Sequence, residues 1–319
     1  MKDVVAGIDI GGTNVSIGIV DKDGKIIFNE AFTIKNYSTA KEFVDFVSKK
    51  IKSIIKQSSQ KIKLVGIGIG APNGNYYKGL IEYAPNLKWT GIIPLRDMFK
   101  EYFNLPIVLT NDANAATIGE MIYGGAKGMK DFILITLGTG LGSGFVANGE
   151  LILGNDSFAG ELGHTIVFQD GRICGCGRRG CLETYVSATG ILRTVSELLA
   201  KRKYESKLRD IPQNQLTAKI ISEYANKGDL IAKEAYEYTG KILGFKLSEA
   251  IAITSPEAIF LFGGLANAGN LLFEPTRKYM EKYLLDIYKN KVKLLSSSLN
   301  ENDAAILGAA AMAWKEIEE

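Results

Sequence analysis

The chain has 319 residues, of which 46% are hydrophobic and 23% are charged, with 38 Lys and Arg against 35 Asp and Glu. This composition is typical of a soluble globular protein, and the length favours two domains. The net charge of +3 comes from basic residues that are spread along the chain, so no nucleic-acid partner is indicated. The lysine-rich stretch 49–63 carries isoleucines at helical spacing, which is typical of the solvated face of an amphipathic helix.

Membrane insertion and secretion are not expected. The sequence contains no run of 18 apolar residues, and its first motif is reached by residue 9, which leaves no room for a signal peptide. We therefore expect a cytoplasmic protein with no membrane partner. In a reducing compartment, three cysteines close together in sequence favour a metal site over a disulfide.

The first half of the chain predicts a mixed α/β domain. Apolar runs at 4–10, 15–20 and 25–34 predict an antiparallel meander, and the spacing of apolar residues over 39–57 predicts a helix. Buried strands are predicted at 64–70 and 106–112, and the second of these ends in polar residues. Sheets of this kind place functional groups at their strand ends.

The second half repeats the pattern of strand, glycine-rich turn and strand at 132–151. Helices are predicted at 187–203, 217–227, 229–253, 275–290 and from about 303, with a strand at 257–264. The repetition suggests a duplicated fold with a cleft between the halves. We place an N-terminal domain at 1–112, completed by the C-terminal helix at about 303–319, and a larger domain at 113–302.

Two glycine turns are candidate phosphate sites. In the first turn the amides of Gly12 to Asn14 and the Thr13 hydroxyl can face an anion, because Gly11 and Gly12 allow a sharp bend. Asp9 could hold a hydrated magnesium ion. The second turn offers Gly138, Thr139, Gly140, Gly142 and Gly144, and a third pair is Gly263 and Gly264. Glycine-rich hairpins are also common without any ligand, and the turns match neither a Walker A motif nor a dinucleotide fingerprint. Three such turns together make a nucleotide polyphosphate plausible.

Asp112 follows a strand and precedes an alanine-rich helix, within the sequence LTNDANAATIGE. It could be a helix N-cap. The flanking Asn111 and Asn114 favour a polar pocket instead, in which a carboxylate can accept the proton of a substrate hydroxyl during phosphoryl transfer.

The only histidine and all three cysteines lie within residues 161–181. His164, Cys174, Cys176 and Cys181 form a closed set of four ligands suited to zinc, with glycines between them that allow tight loops. A catalytic zinc needs an open position for water, so we interpret the metal as structural. Glu161 and Glu183 flank these ligands and could accept hydrogen bonds from vicinal sugar hydroxyls.

These motifs together resemble the ROK family of sugar kinases and repressors, and most closely its bacterial glucokinase branch. They are DIGGTNVSIGIVD, NDANAATIGE, LGTGLGSGFVANGEL, AGELGH and CGCGRRGCLETYVS, and the resemblance extends from residue 9 to Gly308. It implies two RNase H-like α/β domains of the actin and hexokinase type around a cleft, an ATP-dependent hexokinase or glucokinase activity, and a homodimer or a dimer of dimers.

The resemblance also assigns roles to individual residues. It makes Asp112 the general base for the sugar 6-hydroxyl and places five further side chains on the sugar: Asn86, Asn111, Glu161, His164 and Glu183. It places the ATP phosphates at residues 9–14 and 138–142, and brings Gly263 and Gly264 close to the nucleoside. Two positions depart from the family pattern, since Asn14 stands where relatives commonly have lysine and Asn73 stands where the family has glycine.

Several alternatives remain open at the level of sequence. Glucose is the expected substrate, while relatives with the same motifs act on N-acetylglucosamine, N-acetylmannosamine, mannose or fructose, and polyphosphate can replace ATP as donor. A repressor would carry a helix-turn-helix before Asp9, for which eight residues leave no room. A sugar sensor without catalysis would be expected to lack Asp112, and a zinc hydrolase would need an open ligand position.

Overall fold

The computed structural model describes residues 1–84 and 86–318. The chain forms two compact units: unit 1 comprises Met1–Met129, Leu151–Gly160 and Ser298–Glu319, and unit 2 comprises Lys130–Glu150 and Glu161–Ser297. The predicted domain boundary after residue 112 therefore lies inside unit 1, and the insertion of residues 151–160 into unit 1 was not anticipated from the sequence.

Thirteen strands and eight α-helices are assigned within the described residues. The strands are β1 (Lys2–Ile10), β2 (Asn14–Asp21), β3 (Ile26–Thr33), β4 (Ile62–Gly70), β5 (Gly74–Asn75), β6 (Leu80–Glu82), β7 (Ile92–Ile93), β8 (Ile107–Thr110), β9 (Phe132–Leu137), β10 (Leu141–Ala147), β11 (Glu150–Leu151), β12 (Ala258–Phe262) and β13 (Lys293–Ser296). The helices are α1 (Ala40–Gln57), α2 (Leu95–Lys100), α3 (Asp112–Tyr123), α4 (Ala188–Lys201), α5 (Ala218–Asn226), α6 (Leu230–Thr254), α7 (Asn270–Tyr283) and α8 (Glu301–Glu318).

Unit 1 is built on a five-stranded sheet of order β3-β2-β1-β4-β8. The predicted meander is confirmed, since β1, β2 and β3 pair antiparallel. Strands β4 and β8 join β1 in parallel. Helix α1 covers one face of this sheet, and it begins as predicted because Thr39 and Glu42 form a capping box.

Helix α8 lies directly on the sheet of unit 1, because glycines in the strands leave room for its backbone. A Cβ atom at Gly68 would lie 1.8 Å from the carbonyl oxygen of Ala309, and one at Gly7 would lie 2.3 Å from that of Ile306. Any larger residue at these positions would displace the helix. The C-terminal helix predicted from about residue 303 begins at Glu301.

Unit 2 contains a second five-stranded sheet, of order β11-β10-β9-β12-β13. The hairpin of β9 and β10, helices α4 to α6 and strand β12 agree with their predictions. Helix α7 does not: it was predicted at 275–290 but begins at Asn270 and ends at Tyr283. Pro275 lies inside the helix, and a separate 3-10 turn at Asp286–Tyr288 follows the end of α7.

Five short strands and one short helix were missed, namely β5, β6, β7, β11, β13 and α2. Strands of two to four residues are too short to show alternation in sequence. Among the described residues no helix combines the length and apolar character that crossing a membrane requires.

Candidate active site

The carboxyl ends of three parallel strands bring two carboxylates together in unit 1. Asp9 of β1 is paired with Gly70 of β4, which is paired with Thr110 of β8. A Cβ atom at Gly70 would lie 3.7 Å from Asp9 Oδ1 and 3.8 Å from the Cα atom of Asp112. Gly70 therefore lies next to both Asp9 and Asp112, and its lack of a side chain leaves room for them to approach each other.

Asn111, and not Asp112, caps helix α3. The Asn111 side-chain oxygen accepts a hydrogen bond from the Asn114 backbone N–H at 2.6 Å, whereas Asp112 is the first helical residue. The alternative of Asp112 as an N-cap is therefore excluded. The Oδ1 atom of the buried Asn111 accepts the bond of this cap. Its Nδ2 group is the part of the side chain that can donate to a ligand.

Both carboxyl groups have raised pKa values. Desolvation, followed by the negative charge of Asp112, raises the pKa of Asp9 to about 7. Asp112 is solvent-exposed, but protein atoms surround its carboxyl group closely enough that desolvation also raises its pKa. Hydrogen bonds from the backbone N–H groups of Ala113 and Asp112 lower this pKa and offset part of the increase. Asp112, whose carboxylate is more basic than usual, and Asp9, whose charged form a cation would stabilise, thus lie at one edge of the sheet.

The first glycine turn packs against the candidate sugar residue Asn86. The N–H of Gly11 donates to the Asn14 carbonyl at 2.9 Å, and the Thr13 carbonyl accepts from Ile34 N–H at 3.0 Å. Because a trans peptide directs its N–H opposite to its C=O, the Asn14 amide points away from Ile34. A Cβ atom at Gly12 would lie 2.9 Å from both the Cβ and the carbonyl oxygen of Asn86. The turn and the Asn86 segment are therefore in contact within unit 1.

The second glycine turn, in unit 2, packs against Glu183. The carbonyls of Gly138 and Thr139 accept hydrogen bonds from the start of α4, at 2.8 Å each, so the following amides point away from that helix. A Cβ atom at Gly140 would lie 2.7 Å from Glu183 Oε2. At the end of the neighbouring strand β12, Gly263 has a φ of 98° and lies against the Leu137 backbone. Gly263 is thus next to the second turn.

The four predicted metal ligands cluster in unit 2. One ligand atom from each of His164, Cys174, Cys176 and Cys181 lies within 4.8 Å of all the others. The Sγ atoms of Cys176 and Cys181 are 3.6 Å apart, and Cys174 Sγ is 3.7 Å from His164 Nδ1. Tetrahedral zinc, with bonds of about 2.3 Å to sulfur and about 2.0 Å to nitrogen, separates its ligand atoms by about 3.5 to 3.8 Å. The donor set and its spacing therefore fit a zinc ion.

The thiol groups of the cluster are not equivalent. Against the desolvation that opposes ionisation, hydrogen bonds from the backbone and side chain of Arg178 lower the pKa of Cys176 to about 6. Desolvation and a hydrogen bond to Glu183 Oε1, at 2.9 Å, raise the pKa of Cys174. The same Glu183 oxygen lies 3.9 Å from His164 Nδ1. Glu183 thus lies beside the metal ligands and also beside the second glycine turn.

The loop that bears the candidate metal ligands, from His164 to Cys181, is held in place by glycines and one arginine. Gly163 lies against β10, since a Cβ atom there would be 2.3 Å from the Leu141 carbonyl oxygen, and Gly180, with a φ of 75°, lies against Phe168. Arg172 stacks on the Tyr185 ring at 4.4 Å and bonds Glu197 and Thr194 of α4. Sequence analysis missed Arg172, because nothing in the sequence distinguishes it from neighbouring arginines.

Three further residues predicted for the site are Glu161, Gly138 and Gly264. Glu161 is exposed, and its carbonyl accepts the His164 N–H at 3.1 Å in the short turn that presents the histidine. Gly264 and Gly138 have open space where a side chain would project.

The model of the ROK family matches residues 5–316. The chain belongs to the ROK family. Members of this family share the actin and hexokinase-like ATPase fold, which is the fold of this chain.

The relatives within the ROK family include both kinases and repressors. A glucokinase of Halalkalibacterium halodurans is 35% identical over 306 residues, covering 95% of this chain and 92% of that protein. A xylose repressor of Caldicellulosiruptor bescii is 30% identical, covering 98% of this chain and 78% of the repressor. A crystal structure of the Streptomyces griseus ROK glucokinase with glucose and AMPPNP is 31% identical, with a TM-score of 0.79, and covers 98% of this chain and 99% of that one.

Proposed function

We propose that this protein is an ATP-dependent hexose kinase that phosphorylates the 6-hydroxyl of glucose. The observation that carries the proposal is the pair of strand-end carboxylates, in which Asp112 and Asp9 approach across Gly70. The glucokinase relatives and the relative that binds glucose together with an ATP analogue support the same activity.

Asp112 acts as the general base. It accepts the proton of the 6-hydroxyl while that oxygen attacks the γ-phosphorus, the bond from phosphorus to the β,γ-bridging oxygen breaks, and ADP leaves. The raised pKa of Asp112 makes its carboxylate a stronger base than an ordinary aspartate. Activity should therefore fall as the pH decreases through this raised pKa, because the protonated acid cannot accept a proton.

The glycine turns would bind the phosphates of ATP through their backbone amides, in residues 12–14 and 139–140. Gly142, Gly263 and Gly264 belong to the same proposed nucleotide site. Asp9 would hold magnesium through a water molecule, and the ion would supply charge neutralisation for the transferring phosphoryl group.

Sugar recognition divides between hydrogen-bond donors and acceptors. Asn86 and the Nδ2 group of Asn111 serve hydroxyl oxygens, and the carboxylates of Glu161 and Glu183 accept from hydroxyl groups. Zinc held by His164, Cys174, Cys176 and Cys181 would be structural and fix the loop that bears these residues. Because Nδ1 of His164 faces the thiols, its Nε2–H remains to donate to the sugar.

A sugar-binding regulator is the second candidate, and the observation that favours it is the 30% identity to a xylose repressor. Binding alone gives no reason for Asp112 to be placed beside Asp9. Catalysis requires both carboxylates, so the kinase is the better supported function.

The test is ADP release from Mg-ATP with glucose, N-acetylglucosamine, N-acetylmannosamine, mannose and fructose, each also assayed with polyphosphate as donor. The proposal predicts turnover on glucose with ATP. Turnover on another hexose would keep the kinase and change its substrate. Binding of a sugar without turnover with either donor would support the regulator instead.

A further inference from the structure

Asn73 adopts a backbone conformation that is unusual for a side chain. It lies in the turn that follows β4, between Pro72 and Gly74, with a φ of 52°. Glycine tolerates this left-handed region without cost, and asparagine is among the few other residues that visit it. The conformation explains why the position accepts asparagine, but not what the exposed amide group does there.

The Asn73 side chain forms a clamp to the end of β6. Its Nδ2 group donates to the carbonyl oxygens of Glu82 at 2.9 Å and of Tyr83 at 3.3 Å. Its own backbone carbonyl accepts from the Glu82 N–H at 3.2 Å. Three hydrogen bonds thus join one turn residue to Glu82, the last residue of β6, and to Tyr83, which follows it.

The clamped residues lead directly to Asn86. Tyr83 has a φ of 52°, so the chain bends sharply where the Asn73 amide holds it, and the Tyr83 N–H donates to the Gly91 carbonyl at 2.8 Å. Only two residues separate Tyr83 from Asn86, whose Cβ and carbonyl oxygen lie against Gly12. Asn86 therefore follows the clamped segment closely in sequence and packs against the glycine turn.

We propose that Asn73 is a positioning residue for sugar recognition, which holds the Glu82–Tyr83 backbone so that Asn86 meets a hexose hydroxyl. The inference rests on the proposed function, because it assumes that Asn86 contacts the sugar. Asn73 itself does not touch the reacting atoms. Its loss should therefore change sugar affinity while leaving the chemical step and the use of ATP intact.

Asn73→Gly separates this role from that of a simple turn residue. Glycine keeps the left-handed conformation and removes both amide hydrogen bonds. We expect the sugar KM, and the sugar Kd measured by calorimetry without ATP, to rise about three- to tenfold, with kcat and the KM for ATP within about twofold. An unchanged sugar KM and Kd would overturn the proposal.

Two further variants exclude a general effect of the substitution. Asn148→Gly is the matched control, because Asn148 is an exposed hairpin residue of unit 2 with a φ of 54°, and it should leave the sugar KM unchanged. Asn73→Asp tolerates the same backbone but replaces the donor with a carboxylate, which would face two carbonyl oxygens. It should weaken sugar binding at least as much as Asn73→Gly, and wild-type affinity in this variant would contradict the role of the amide donor.

A double-mutant cycle tests whether Asn73 acts through Asn86. In an Asn86→Ala background, Asn73→Gly should raise the sugar Kd by less than about twofold, because the group that it positions is gone. Independent, multiplicative effects would show that Asn73 acts by another route.

Hydrogen exchange keeps the outcome separate from the fate of the proposed function. Asn73→Gly should speed amide exchange at Tyr83, Ala84, Asn86 and Leu87, while Asn148→Gly should not. If the wild type binds no hexose but exchange changes as expected, the positioning contact stands and the function is wrong. If wild type phosphorylates hexoses and neither exchange nor sugar KM responds to Asn73→Gly, the function stands and this inference is wrong.

Discussion

The two glycine turns occupy the same place in their units but differ in what the preceding strand contributes. Each turn joins two antiparallel strands next to a parallel neighbour, β1 with β4 in unit 1 and β9 with β12 in unit 2. Two residues before the first glycine, unit 1 has Asp9 and unit 2 has Thr136. The Thr136 hydroxyl accepts the Gly142 N–H at 3.1 Å and so closes its own hairpin, whereas desolvation and Asp112 raise the pKa of Asp9.

The difference teaches that one hairpin can serve two purposes. In unit 1 the strand end carries charge, which needs a cation or a proton to be stable beside a second carboxylate. In unit 2 the Thr136 hydroxyl at the strand end already has a hydrogen-bond partner. The polar groups beside this turn are instead Glu183 and the loop that bears His164 and the three cysteines. The predictions below test this division of roles.

The largest expected effect on turnover comes from a substitution at the strand ends of unit 1. Asp112→Asn removes the proposed general base without changing the side-chain shape, so kcat should fall by about a hundredfold or more while the protein folds normally. Steady-state kinetics and circular dichroism check both parts. Asp97→Asn is the control, since that carboxylate is 64% exposed on α2, and it should keep wild-type kcat. Wild-type turnover in Asp112→Asn would remove Asp112 from the mechanism.

In unit 2 the conformation of the loop that bears His164, Cys174, Cys176 and Cys181 should depend on a bound metal ion. Cys176→Ser should bind less than one zinc per chain and weaken sugar affinity about ten- to a hundredfold, because the loop that bears His164 and Glu183 loses its anchor. Metal analysis and calorimetry measure the two effects. Chelation of the wild type followed by zinc addition should reproduce and then reverse them, and a wild-type protein purified without zinc would contradict the assignment.

Much of this division was predictable from sequence, for identifiable reasons. Polar residues at strand ends marked Asp9 and Asp112, and the isolation of His164 with three cysteines marked the ligand loop. Contacts between distant segments were not predictable: the burial of Arg172 under Tyr185, the packing of Gly12 on Asn86, and the use of Asn111 instead of Asp112 as the cap depend on tertiary structure. Helix α7 was predicted at 275–290 but spans Asn270–Tyr283, with Pro275 inside it.

Exchanging the two strand-end residues for inert ones should separate their roles. Asp9→Asn should raise the magnesium concentration needed for half-maximal activity about tenfold, because it removes the charge that we propose holds magnesium through a water molecule. Thr136→Ala should leave that requirement unchanged and lower the free energy of unfolding by about 1 kcal/mol, because one hydrogen bond to backbone is lost. Equal magnesium dependence in Asp9→Asn and wild type would break the comparison.

The smallest expected effects are on stability, because alanine in the turns should lower the free energy of unfolding by amounts that differ between the sites. Gly12→Ala meets the backbone and Cβ of Asn86, which cannot move aside, and should cost about 1 to 3 kcal/mol of unfolding free energy. Gly140→Ala meets only the end of the Glu183 side chain and should cost less. Gly138→Ala has open space and should stay within about 0.5 kcal/mol. Denaturant unfolding of the three variants checks the order, and a reversed order would contradict the contact with Asn86.

The most direct test of the central claim is to identify the product formed from glucose and Mg-ATP by phosphorus NMR, with 6-deoxyglucose in parallel. The account predicts one phosphate on the 6-oxygen of glucose and no phosphorylated product from 6-deoxyglucose. Phosphate on another oxygen, or phosphorylation of 6-deoxyglucose, would show that Asp112 does not act on the 6-hydroxyl.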